Sequence, residues 1–533
     1  MLNLWAPYPM PDIRIETHFG WKVRCFANRP ANVNAMFAAS VASFPQHEAV
    51  VTQSSRVHYV DLDRMAGRVA ANLARRGVRR GDRIAIVCRN DLAFVLAVLA
   101  ALRLGAIAVP VNTREQRDEI TYILQQCGAK AVVFEATLAG RLPTPAEAPA
   151  LSLRIAVGDE VPGAEPFESL LDAAAPDVPV VASDEEDNAV ILYTSGTTGH
   201  PKGAMLTHLN IVHSVLHYRT CMRLNDRDRS LLAVPASHVT GLVAILFTML
   251  GVGGCVIMMH EFKANAFLAL AGHERMSHTL VVPAIYALLL RDPDFDDYDL
   301  SAWRVGGFGG APMPEGTLRA LAENLPKLAL VNAYGATETT SPTTMMPADL
   351  QATHLDSVGV LVPCAELRVV GESGHDVPPG TPGELWISGP MVVPGYWEDP
   401  EATAREFADG YWRSGDIGAQ DVDGFVRLFD RKKDLVNRAG YKVYSAEVES
   451  ALSMHPAVAE AALVARPDPV LGEKSHAFVV LRDAGCTAAM LRRHCAAHLA
   501  DYKVPDFFTL LDGPLPRNAN GKVLKRVLRE SVE

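Results

Sequence analysis

Residues 193–203 hold the densest phosphate-handling chemistry in the chain. Thr194, Ser195, Thr197 and Thr198 offer hydroxyl donors, and Gly196, Gly199 and Gly203 let backbone N–H groups turn inward. Lys202 adds a mobile positive charge. Such a loop can wrap a phosphate or a pyrophosphate. It is not a Walker A loop, because Gly203 follows Lys202 where that loop has Ser or Thr. A Ser/Thr/Gly-rich surface turn has the same composition. Alone, the segment supports nucleotide or phosphate handling and nothing finer.

Four further segments are polar where a simple core would be apolar. Ser237, His238 and Val239 follow the apolar run 231–234. They fall at a strand's C-terminal edge, where open α/β sheets bind ligands, although a lone His238 also fits a core or surface histidine. Gly306, Gly307, Gly309 and Gly310 precede Ala311 and Pro312, after another strand. That glycine density lets a flat ligand approach the backbone, and it also suits a plain flexible turn. In the stretch Asn332, Ala333, Tyr334, Gly335, Thr337, Glu338, the tyrosine offers a stacking face. Glu338 is the one carboxylate among local hydroxyls. Beside phosphates it repels unless Mg²⁺ bridges, since Mg²⁺ prefers oxygen ligands and phosphate. Asp416, with Arg431 beyond it, can accept both hydroxyls of a ribose; each residue also reads as a turn or surface ion pair. Lys522 sits just after Gly521 and alone reads as a solubilising surface lysine.

These residues need elements to hold them. The apolar run 189–192 predicts a buried strand ahead of the glycine loop, and Thr207 a helix cap after it. From residue 47 strands and helices alternate: strands at 83–87, 107–110 and 131–134, helices at 93–104 and 120–126. A second run has strands at 231–234, 255–258, 279–282 and 302–305, with a very apolar helix at 242–250. That alternation predicts an α/β fold with a mostly parallel sheet. Past residue 349 short strands and frequent Gly and Pro turns predict a small antiparallel region, a distorted β-barrel. A charged run at 430–434 then leads into a tail with its own helix–strand–strand–helix pattern. The expected organisation is a large N-terminal region, residues 1–432, and a mobile α+β C-terminal domain, residues 433–533.

Length and composition set bounds. A chain of 533 residues is too long for one core. A net charge of -11 disfavours nonspecific nucleic-acid or anionic-membrane binding. Eight scattered cysteines without a C-x-x-C pair fit reduced thiols in a cytoplasmic protein and no zinc site. No run of 18 apolar residues predicts a membrane span, and no signal peptide is indicated.

Together the segments 193–203, Tyr334–Glu338, Gly383–Gly389, Ser414–Ile417, Asp430–Asp434 and Asn520–Lys522 resemble the ATP-dependent adenylate-forming superfamily of acyl-CoA synthetases, peptide-synthetase adenylation domains and luciferases. The resemblance spans from about residue 45 to the end. It implies a two-step ligase. A carboxylate attacks the α-phosphorus of ATP, giving acyl-adenylate and pyrophosphate, and a thiol then displaces AMP. The implied cofactors are ATP, Mg²⁺ and coenzyme A, and the implied partners are a small carboxylic acid and CoA. No nucleic acid is implied, and a homodimer is left open.

The resemblance also implies roles. Thr194, Ser195, Gly196, Thr197, Thr198, Gly199 and Lys202 hold the β- and γ-phosphates. Gly310, Ala311 and Pro312 flank adenine with Tyr334; Asn332 and Gly335 belong to the cofactor-binding set, and Asn332 also neighbours the acid pocket. Thr337 touches the α-phosphate, Glu338 holds Mg²⁺, and Asp416 with Arg431 holds the ribose. Lys522 bridges carboxylate and α-phosphate. Rotation at a hinge, Lys433, replaces Lys522 with Gly440, Tyr441 and Lys442 for the thiol step. His238, Ser237, Val239, Gly306, Gly307 and Ala333 bound the acid pocket; Ser237 stands where many relatives have an aromatic residue. These neighbours are small or neutral, so a neutral hydrophobic acid is expected, medium-chain aliphatic or aromatic. A stand-alone adenylation enzyme loading a carrier protein is the alternative.

Overall fold

The computed structural model describes Trp5 and residues 10–173, 179–194, 200–482, 485–518 and 521–532. Two α/β sheets form the bulk of the N-terminal region. The first has seven strands. Its hydrogen-bonded order is Lys202–Thr207, Asn188–Thr194, Ile107–Pro110, Arg83–Val87, Ala131–Glu135, Leu153–Val157 and Glu165–Pro166. All neighbours are parallel except the first two. The second sheet has nine strands, with a parallel centre of Cys255–Met258, Arg229–Leu232, His278–Val281, Val305–Phe308 and Ala329–Ala336.

One hydrophobic core serves both sheets: Ile84 and Val190 of the first share it with Leu231 and Val256 of the second. Two helices lie inside this core, one apolar nearly all round and one carrying buried His, Asn and Ser side chains. Leu92–Arg103 is buried from Ala93 to Leu102, and His208–Cys221 is buried along nearly its whole length. The first has no solvent side to present, so it packs within the protein; the second meets its polar side chains internally, as where Asn210 Nδ2 donates to the Pro390 and Val392 carbonyls. Capping follows the sequence: Asn32 accepts from Ala35 N–H, Asp91 from Leu92 N–H and Thr207 from Asn210 N–H. The apolar run after His238 departs from the expected α-helix. Thr240–Phe247 is a π-helix that becomes α-helical at Thr248–Val252. Gly241 sits where an added Cβ would lie 2.3 Å from the Pro235 carbonyl oxygen, so this turn accepts only glycine. A π-turn inside a helix often marks a functional site.

Residues past 360 form an open, curled antiparallel sheet. Glu366–Val370 pairs with Gly383–Ser388, which pairs with Tyr411–Gln420, and Val426–Arg431 lies on that last strand. The chain then enters a separate α+β domain, where Gly472–Leu481 is flanked by Val458–Asp468 and Phe507–Leu511. Its core, around Val448, Leu463, Val479 and Leu491, is its own. No disulfide joins the eight cysteines, all of them buried. No helix among the described residues is long and apolar enough to cross a membrane.

Candidate active site

The glycine loop joins two antiparallel strands, with Thr194 opposite Lys202 and Tyr193 opposite Gly203. A Cβ on Gly203 would come within 2.8 Å of the Ile191 side chain, so glycine allows the hairpin to close. Ser195, Gly196, Thr197, Thr198 and Gly199 lie outside the described residues. Lys202 emerges from the hairpin with only 14% of its side chain exposed. Its Nζ donates to both oxygens of Glu406, at 2.6 and 2.8 Å, and lies 4.3 Å from the centre of the Tyr396 ring. The Tyr396 hydroxyl in turn lies 2.9 Å from Glu338 Oε1 and 2.6 Å from Glu406 Oε2.

Glu338 sits in a single turn, Thr337–Thr339, that ends the strand Ala329–Ala336. It is 8% exposed, and burial pushes its carboxyl above the ordinary range. A buried carboxylate ionises at low cost only if a positive charge joins it. A hard oxygen donor in that position fits a divalent cation such as Mg²⁺. The backbone beside it is strained: Thr340 and Ser341 hold φ of 49° and 91°, left-handed for non-glycine residues. Such strain persists where surrounding structure enforces it, commonly at functional sites. Here Thr339 Oγ1 accepts from Ala336 N–H and donates to the Ser341 carbonyl, and the Tyr218 and Ser341 hydroxyls share a hydrogen bond. Gly335 is equally constrained, since a Cβ there would lie 1.6 Å from the Ser341 oxygen.

Across the cleft, the Tyr334 hydroxyl donates to Asp416 Oδ2 at 2.8 Å. Asp416 and Arg431 are direct cross-strand partners in the curled sheet, with Arg431 Nε 3.3 Å from Asp416 Oδ1. Lys522, from the C-terminal domain, faces this cluster. It remains exposed to solvent. Partial burial, then Arg431 and Lys433, push its ammonium down to about 8, while Asp416 and Asp434 pull the other way. Gly310, Ala311 and Pro312 form an exposed lip after the strand Val305–Phe308, and Asn332 Nδ2 donates to the Ser357 carbonyl at 3.4 Å.

His238 lines a small crevice together with Ser237, Val239, Thr337 and Tyr193. The Thr240 N–H donates to His238 Nδ1 at 3.3 Å, which assigns the ring proton to Nε2. The ring has an exposed edge, and loss of water from the protein-facing side lowers its pKa. His238 is therefore a neutral donor at neutral pH. Asn112 and Glu115 add to the polar part of the crevice, and among the described residues no Lys or Arg lines it.

One expectation needs correction. Gly306 and Gly307 do not follow a strand. They lie inside it, in register with Thr279 and Leu280 on one side and Leu330 and Val331 on the other. The space beside each is occupied: an added Cβ would meet the Tyr286 hydroxyl at 2.8 Å and the Leu280 side chain at 2.9 Å respectively. Glycine here admits large neighbours to a crowded central strand. Ala333, on the next strand, is buried, with its carbonyl 2.3 Å from the Cβ position of Gly309. Gly440, Tyr441 and Lys442 stand away from the cluster in this arrangement, in which Lys522 faces it. Tyr441 is 60% exposed, and Lys442 pairs with Glu372 at 2.7 Å.

Sequence reasoning missed Tyr396, Glu406, Asn112 and Glu115. None of them carries a sequence signal; only the structure shows Gly395, beside Tyr396, with φ 156° and no room for a Cβ against the Thr403 side chain. A second cluster, Glu16, His18 and Cys25, brings ligand atoms within 4.8 Å of one another. It is an ion-pair network, because Arg29 donates to both Glu16 oxygens and holds that carboxyl far below its ordinary range.

Residues 37–397 match the AMP-binding enzyme family, and residues 447–522 match the AMP-binding enzyme C-terminal domain. The chain belongs to this family, the ATP-dependent acyl-adenylate-forming enzymes. It is 33% identical over 504 residues to the long-chain-fatty-acid–CoA ligase FadD13 of Mycobacterium tuberculosis, covering 94% of this chain and 98% of that protein. It is 34% identical over 494 residues to a feruloyl-CoA synthase of Amycolatopsis, covering 91% and 96%. Its fold superposes with a TM-score of 0.83 on the o-succinylbenzoate CoA synthetase MenE of Bacillus subtilis in complex with ATP and magnesium ion, at 29% identity, covering 93% and 98%.

Proposed function

We propose that the protein is an AMP-forming acid–CoA ligase that uses ATP, Mg²⁺ and coenzyme A on a neutral hydrophobic acid. The observation that carries this reading is Lys522, reaching from the C-terminal domain toward the cluster of Tyr334, Asp416 and Arg431. A cation supplied by a second domain beside a nucleoside-type site is what carboxylate activation needs. The acid and the triphosphate repel each other, and fixed positive charge offsets that repulsion where the new bond forms.

In this reading Asp416 and Arg431 hold the ribose, and Tyr334 holds both Asp416 and the adenine face. Gly310, Ala311, Pro312, Asn332 and Gly335 bound the base. Thr194, Lys202 and the loop 195–199 take the β- and γ-phosphates, and Thr337 the α-phosphate. Glu338 holds Mg²⁺, which neutralises phosphate charge when bound. His238 donates from Nε2 toward the acyl oxygen. Lys522 orients carboxylate and α-phosphate for in-line attack. The bond from α-phosphorus to the bridging oxygen breaks, and pyrophosphate leaves. Rotation about Lys433, between residues 1–432 and 433–533, then brings Gly440, Tyr441 and Lys442 to the cleft for attack by the CoA thiol.

The crevice supports a neutral acid. It offers no cation to pair with a second carboxylate, and Glu115 in its wall repels one. The named relatives act on fatty, aromatic and o-succinylbenzoyl acids, so the choice between a medium-chain aliphatic and an aromatic acid rests on a panel of acids. Pyrophosphate release and CoA-dependent AMP release are the two readouts. Turnover of dicarboxylates above monocarboxylates would overturn the neutral-acid reading, and AMP release without thioester would overturn the ligase.

A further inference from the structure

Lys202 is the one cation of the glycine hairpin, and its charge is already matched. Glu406, the last residue of the helix Pro400–Glu406, receives it through both carboxylate oxygens at 2.6 and 2.8 Å. The pair is three-quarters or more buried on each side, with side-chain exposures of 14% and 24%. Nothing about it is loose. The neighbouring segment is fixed to the hairpin strand by the bonds from Trp397 N–H to the Gly203 carbonyl, 2.7 Å, and from Met205 N–H to the Gly395 carbonyl, 3.1 Å. Tyr396 is held by Thr403 Oγ1, 2.9 Å from its N–H, and its hydroxyl bridges Glu406 to Glu338. Phe407 packs edge-on against the Tyr396 ring at 5.6 Å, which fixes the end of the helix from the other side.

A polyphosphate that takes Lys202 must compete with this carboxylate, because a charge-assisted pair at such distances leaves the ammonium little further capacity. We propose that Glu406 is a positioning residue, the counter-ion that Lys202 exchanges for the β- and γ-phosphates. It keeps the ammonium compensated while the site is empty, and recovers it as pyrophosphate departs. The inference rests on the reading above, in which Lys202 serves those phosphates. It adds a residue that weakens pyrophosphate binding and so eases product release, a function opposite to that of the loop itself. Glu406 touches neither substrate nor reacting atoms; it acts through Lys202.

The test is titration of the full-length protein with magnesium pyrophosphate, and separately with MgATP, followed by calorimetry. Glu406→Gln keeps the shape and removes the charge. It is expected to tighten pyrophosphate about tenfold, the low end of the scale of one charge-assisted hydrogen bond, and to lower the inhibition constant of pyrophosphate in turnover by a similar factor. Glu406→Asp, with its carboxylate withdrawn, is expected to fall between. A structural lesion would weaken binding, so the direction of change separates the two. In the Lys202→Met background the Glu406→Gln gain should vanish. Unchanged or weaker pyrophosphate binding in the Gln variant overturns the proposal. If the Gln variant does not fold, the Asp variant decides by the same criterion. Wild-type protein that binds neither pyrophosphate nor MgATP overturns the reading beneath it instead.

Discussion

Asp430 caps a helix that belongs to the next domain. It ends the curled sheet in the strand Val426–Arg431, and its Oδ1 accepts from the Ser445 hydroxyl at 2.9 Å while its Oδ2 accepts from the Ser445 N–H. The helix Ser445–Ser453 receives no side-chain cap from Tyr444, the residue before it. An N-cap is worth about 1 kcal/mol, and a carboxylate also meets the positive end of the helix dipole. If the C-terminal domain rotates about Lys433, this cap is lost, so Asp430 favours the arrangement with Lys522 in the cleft. Asp430→Ala should lower pyrophosphate release in the adenylation half-reaction roughly fivefold, the population equivalent of that cap. Thioester formation from supplied acyl-adenylate should be unchanged. Equal loss in both half-reactions would remove Asp430 from the conformational balance.

Lys522 gives a pH signature. Partial burial, with Arg431 and Lys433 nearby, depresses its ammonium to about 8. The charged form is the useful one, so kcat/KM for ATP in the adenylation half-reaction should fall as pH rises through about 8. That quantity reports the free enzyme, whose cleft holds no phosphate to raise the pKa. Arg431→Gln removes one positive neighbour and should move the break upward. Lys522→Ala should nearly abolish adenylate formation and spare thioester formation from supplied acyl-adenylate. A break that stays in place in Arg431→Gln would assign it to another group.

Much of this site was legible because the chain marks it locally. Thr194, Lys202, Tyr334, Glu338, Asp416 and Lys522 stand in segments whose glycines and hydroxyls have no use in a simple core. The helix caps Asn32 and Thr207 and the strands 83–87 and 107–110 follow from periodicity and cap chemistry. What stayed hidden depends on contacts distant in sequence. Glu406 is an ordinary acid at a helix end, and only the fold brings it to its partner Lys202, 204 positions away in the chain. The glycines 306 and 307 misled for the opposite reason. Their density reads as an exposed loop, whereas Tyr286 and Leu280 fill the space a side chain would take. The π-turn at Thr240–Phe247 was equally hidden, because an apolar run does not distinguish helical pitches.

Gly335 separates backbone geometry from chemistry. An added methyl would overlap the Ser341 carbonyl oxygen at 1.6 Å, in a segment already strained at Thr340 and Ser341. Gly335→Ala should destabilise the protein by on the order of 3 kcal/mol or more and displace Glu338. Urea denaturation and ATP–pyrophosphate exchange measured together should both fall. Wild-type stability with wild-type exchange would show that the Ser341 loop moves freely.

Three histidines on one buried helix set the acid limit of the fold. His208 accepts from Val33 N–H at 3.3 Å, His213 accepts from Phe26 N–H at 3.3 Å, and His217 accepts from Cys364 N–H at 3.4 Å. Each uses a neutral imidazole nitrogen to tie an early or late segment to the central helix His208–Cys221. Burial depresses His208 to about 4 and His213 to about 3, and pushes His217 well below the usual value. The unfolded chain takes up these protons near pH 6.5, while the folded chain refuses them until its own lower pKa values are reached. Between those limits the unfolded state binds more protons, so stability falls as pH falls, by on the order of a few kcal/mol per histidine. The stability present above pH 6.5 should therefore be lost steeply between about pH 6.5 and 4. Urea midpoints measured across that range test it. His213→Gln keeps an acceptor for Phe26 N–H and cannot take a proton, so it should flatten the profile while costing stability at pH 7.5. A profile as steep as the wild type's would assign the acid limit to groups other than His213.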